Sequence, residues 1–85
     1  MDLIQQRIEE RTEAYKHSKQ MIKQCEAFQQ QIKVKYKDST NPYELEMKLR
    51  LCDFLATDQS VWAKIRDKEA NKIRKLQKAY SKNNH

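Results

Sequence analysis

The stretch Lys37-Asp38-Ser39-Thr40-Asn41-Pro42-Tyr43-Glu44 decides the fold. It holds the only clear cluster of helix breakers in the chain. Its second half reads as a helix start. Asn41 is suited to accept from the first free amides, Pro42 sits where a missing N–H costs nothing, and Glu44 is spaced to close a capping box. Helix 1 is therefore expected over about residues 3–36, a turn over 37–41, and helix 2 over about 42–81. Asp2 is the expected cap of helix 1, and residues 82–85 read as a frayed tail.

Outward from that turn, a mostly apolar seam recurs at spacings of three and four on both sides. Before it run Ile4, Ile8, Arg11, Tyr15, Ser18, Ile22, Cys25, Gln29, Ile32 and Tyr36. After it run Leu51, Leu55, Asp58, Trp62, Ile65, Glu69, Ile73, Leu76 and Tyr80. An antiparallel hairpin turning near residues 38–39 pairs positions whose numbers add to about 77. On that register Ile32 faces Leu45, Cys25 faces Cys52, Ile22 faces Leu55, Tyr15 faces Trp62, and Ile4 faces Ile73. Ile8 falls opposite Glu69, and Ser18 opposite Gln59, as polar layers that weaken a core but fix its register. The fold class expected is all-α: a long, coiled-coil-like antiparallel hairpin forming one domain over residues 1–85. Thr57-Asp58-Gln59-Ser60 could cap a further helix, and the alternative is a three-helix bundle broken there.

A chain of 85 residues with no glycine, one proline and 35% charged residues fits this class. The lack of glycine argues against dinucleotide-binding loops and P-loops, which need close backbone approach to phosphate. A hairpin this small buries a modest core, so self-association is expected to supplement it. Leu49, Ala56, Ala63 and Ala70 recur every seven residues and form a candidate dimer seam. Met21, Phe28, Met47 and Phe54, which the intramolecular seam does not need, add to the expectation of a four-helix bundle. The bland explanation of the alanines is that alanine is a good surface helix residue.

The formal net charge is +6, and residues 64–82 carry all of it. Lys64, Lys68, Lys72, Lys75, Lys78 and Lys82 step along helix 2 as one cationic face, expected beside Asp2, Glu9, Glu10 and Glu13 of helix 1. Such a face suits phosphate-backbone binding, although it also suits plain solvation. It lacks interleaved aromatic residues for base stacking, so any nucleic-acid binding is expected to be weakly sequence-specific.

Little in the chain suggests chemistry. Cys25 and Cys52 read as buried free thiols, with a disulfide as the lesser alternative. No Cys-x-x-Cys or His-x-x-x-His spacing marks a metal site, and His17 sits on an expected solvated face, so neither cofactor nor metal is expected. No nucleophile has a base in reach, and two helices offer no concave pocket for a small-molecule substrate. Tyr15, Phe54 and Trp62 are candidate partner-binding aromatics, since such residues anchor interfaces; the alternative for Tyr15 and Trp62 is core packing.

Met1-Asp2-Leu3-Ile4-Gln5-Gln6 resembles no signal peptide, and no apolar run approaches a membrane span; a cytoplasmic protein is expected. The function expected is that of a non-enzymatic adaptor or regulator that binds itself and another protein. The alternative is a nucleic-acid-binding accessory protein using the basic face.

Overall fold

A computed structural model describes residues 3–83. Within them two helices, α1 (Leu3–Lys35) and α2 (Pro42–Asn83), pack antiparallel as a hairpin with Cα extents of 65 × 15 × 14 Å. The expected cap at Asp2 and the end of the expected tail, Asn84 and His85, lie outside the described residues. Lys82 and Asn83, expected to fray, continue α2. No described helix is long and apolar enough to cross a membrane.

The turn is built without a left-handed residue, the conformation glycine most often supplies at a helix end. α1 instead tightens at its end: Lys37 N–H donates to the Val34 carbonyl and Ser39 N–H to that of Tyr36, both at 3.3 Å. Asn41 caps α2 as the sequence predicts, its Oδ1 accepting from Tyr43 N–H at 2.9 Å. The capping box closes differently. The Glu44 carboxylate accepts from the Ser39 hydroxyl, and Asn41 N–H donates to the Ser39 Oγ at 3.4 Å. Ser39 stands between the two groups expected to meet.

α2 is continuous through Thr57–Ser60, so the alternative three-helix bundle does not form. The side chains that would cap a new helix are engaged elsewhere. Thr57 Oγ1 donates back to the Asp53 carbonyl at 3.0 Å, Asp58 accepts from Cys25, and Gln59 Nε2 donates to Glu26 at 3.1 Å. These three are therefore turned away from the amides of a fresh N-terminus, and the helix runs on through Ser60.

The seam of α1 is the one the periodicity marks, with Ser18, Ile22 and Cys25 its buried centre. Its pairing with α2 is shifted from the expected register. Cys25 meets Asp58 rather than Cys52, Trp62 makes its ring contact with His17 rather than Tyr15, and Glu69 is held by Arg11 rather than facing Ile8. Paired numbers add to about 79–85 instead of 77. The connector is the cause. It runs along the axis as well as across, so α2 starts beyond the end of α1, and residues 42–47 are exposed without interruption. The shift gives the distal seam residues Ile73, Leu76 and Tyr80, all half-buried, a helix to pack against.

Candidate functional site: two faces of a thin hairpin

Two helices make a thin core. Ile22 and Cys25 are the buried apolar residues among those described, while ten large hydrophobic side chains stay exposed. The surface is 6961 Å², whereas a compact chain of this mass exposes about 5,400 Å². Exposed surface is what this molecule has in excess.

Two cross-helix hydrogen bonds orient its faces. Cys25–Asp58 lies in the seam. Glu26 and Gln59, each one residue later and so rotated about 100° in its helix, meet on one broad side of the hairpin. Met21 and Phe28 lie four before and three after Cys25; Phe54 and Val61 lie four before and three after Asp58. These offsets rotate the opposite way, so all four share the other broad side. Phe28 is 52% exposed and Phe54 68% exposed.

That side continues in both directions. Met47, Phe54, Val61, Lys68, Lys75 and Lys82 fall at every seventh position of α2, one stripe whose first half is apolar and whose second half is basic. Near its basic end an open groove of about 480 Å³ runs between the helices, lined by Arg7, Glu10, Arg11, Lys72, Lys75 and Leu76. Arg7 and Arg11 are cations of this groove that the reading of helix 2 alone missed. Their signal was the antiparallel pairing itself, which brings the start of α1 beside residues 69–76.

The ion pairing there also differs from expectation. Glu69, 8% exposed, accepts from Arg11 Nη1 at 3.2 and 3.4 Å, with Lys72 Nζ at 3.9 Å. The carboxylate in the seam thus comes from α2 and its guanidinium partner from α1. Glu13 pairs locally with Lys16 at 3.7 Å, and Glu10 lines the groove. Lys64, Lys68, Lys75, Lys78 and Lys82 are exposed and Lys72 is half-buried.

The remaining candidates divide. Phe54 is free surface, whereas Tyr15 and Trp62 are half-buried in the hairpin. The Lys19 ammonium stands 5.5 Å from the Tyr15 ring centre, and the His17 ring meets Trp62 edge-on at 5.4 Å. His17, exposed as expected, therefore has an aromatic neighbour the sequence did not suggest. Leu49 and Ala56 of the alanine stripe are exposed, and Ala63 and Ala70 half-buried. Ala56 lies two residues from Phe54 and so points about 160° away from it. The alanine stripe and the Met21, Phe28, Met47 and Phe54 set therefore occupy opposite sides and cannot form one seam.

Both cysteines are free thiols. Cys25 is 3% exposed; burial, and secondarily the Asp58 carboxylate, push its pKa up. A thiol held this way is a weak nucleophile. No group of three or more potential metal ligands occurs among the described residues. No protein-family model, curated protein or solved structure matches this chain.

Proposed function

We propose that this chain is a small non-enzymatic helical adaptor or regulator, acting in the cytoplasm through self-association and contact with another protein. The observation that carries this is the exposed apolar face around Phe54. A monomer seldom leaves so many large side chains contiguous unless they meet something. The test is affinity purification from the native host, with and without nuclease. A partner whose recovery survives nuclease and is lost with Phe54→Asp supports this function. Loss of every specific partner on nuclease treatment sinks it.

A second function is favoured by one specific observation, the groove that adds Arg7 and Arg11 to the basic half of the stripe. A row of cations of this kind suits a phosphate backbone and would bind with little sequence preference. Reversal of Lys68, Lys72 and Lys75 to Glu should then abolish a steeply salt-dependent mobility shift while circular dichroism stays helical. No shift with the unaltered protein at about 50 mM salt eliminates nucleic acid as the target.

A further inference from the structure

We infer that two copies of this chain pack broad side to broad side through Met21, Phe28, Phe54 and Val61, with opposite ends together. This deepens the self-association just proposed and rests on it. The two-fold axis lies between the copies, at right angles to the helices, at the level of the Cys25–Asp58 layer.

The four residues bracket that layer symmetrically, two on each helix, seven positions apart. A two-fold axis there sets Phe54 of one copy against Val61 of the other, and Phe28 against Met21. Each large ring meets a smaller side chain, the self-complementary pattern a closed dimer needs. A buried aromatic side chain covers 150–250 Å², so the exposed portions of this stripe, Met47 included, present on the order of 500 Å² per copy. With a polar rim this approaches the roughly 800 Å² per partner of a stable interface. The opposite side offers Leu49, the alanines and the Glu26–Gln59 pair, a smaller apolar area with one large side chain in place of the two rings.

Charge decides the direction. Residues 51–63 carry only Asp53 and Asp58, so the middle of the face is nearly free of charge, while residues 64–82 carry +6. A parallel pair would lay two such basic ends together. The opposed arrangement separates them along a hairpin 65 Å long and sets each basic end level with residues 42–50 of the other copy, where Glu44 and Glu46 balance Lys48 and Arg50.

Sedimentation equilibrium from micromolar to submillimolar concentration tests the face. The expected result is twice the 10.3 kDa chain mass for the unaltered protein and for Ala56→Asp, and a loss of affinity of at least tenfold for Phe54→Asp and Phe28→Asp. A dimer lost with Ala56→Asp but kept with Phe54→Asp overturns this face and leaves self-association standing. A monomer throughout the range overturns both. Direction is read with single cysteines in a Cys25→Ala, Cys52→Ala background of unaltered helicity and a short bis-maleimide. Cross-linking between copies is expected for Thr57→Cys, near the axis, and not for Lys75→Cys, far from it. This measurement also decides the matter should Phe54→Asp fail to fold. Cross-linking at position 75, with or without position 57, overturns the opposed packing.

Discussion

The Cys25 thiol donates a hydrogen bond to the Asp58 carboxylate across the hairpin at 3.5 Å. One pair of side chains thereby marks the register of the two helices and occupies the residue that could have broken α2. The thiol is buried and needs an acceptor; the carboxylate sits in the seam and needs a donor. Cys52 lies six residues from Asp58, about 9 Å along the helix, too far for Cys25 to reach in a disulfide.

The two cysteines should therefore differ in reactivity. At neutral pH a soluble maleimide is expected to modify Cys52, which is half-buried, at least tenfold faster than Cys25. Mild oxidation should yield no intramolecular bridge, as read by mass spectrometry of the non-reduced chain. Equal rates, or a Cys25–Cys52 disulfide, would show that the register is the simpler one.

Stability should depend on pH through the same thiol. The folded chain holds the Cys25 proton more tightly than the unfolded chain does. Its contribution is complete below the ordinary thiol value of 9.0 and fades as pH rises through the raised folded value. Urea melts at about pH 8 and about pH 10 should show the unaltered protein losing more stability than Cys25→Ala. Parallel losses in both proteins would remove Cys25 from the effect.

Ser18 has no exposed surface, and its hydroxyl donates to the Tyr15 carbonyl of its own helix at 2.7 Å. Its small size is what lets the helices approach here. Ser18→Leu is expected to cost about 1–3 kcal/mol by overpacking, seen as a lower urea midpoint. Ser18→Ala gives up one local hydrogen bond and should cost no more than about 1 kcal/mol. A stabilised Ser18→Leu would mean that the seam has room to spare.

Arg11 and Glu69 form the main cross-helix ion pair. The Arg11 side chain is 44% exposed, so solvent screens the attraction, and a double-mutant cycle with alanine should return about 0.5–1 kcal/mol of coupling. The Glu69→Ala single change should also free Lys72 from its 3.9 Å contact. Denaturant titration of the four proteins measures this; zero coupling would reduce the pair to a surface contact.

The sequence by itself determined the two helices, the turn between them and the seam of α1. Those features follow from local rules: the Asn41–Pro42 start signal, a glycine-free composition, and apolar spacing that matches the helical period. The same spacing left Met21, Phe28, Met47 and Phe54 as apolar residues the seam did not use. Register was beyond it, because a six-residue connector, 36–41, can advance along the axis as well as across. Residue numbers reflected about a turn assume it does not. The continuity of α2 was beyond it for a related reason, since Thr57, Asp58 and Gln59 have the chemistry of a cap and only their partners show that they are not one. The tertiary structure alone decided which residues share a side. Periodicity gives each helix its own wheel, but the Cys25–Asp58 and Glu26–Gln59 contacts fix how the two wheels are turned together. That alignment sets the Phe54 stripe on one broad side and the alanines on the other.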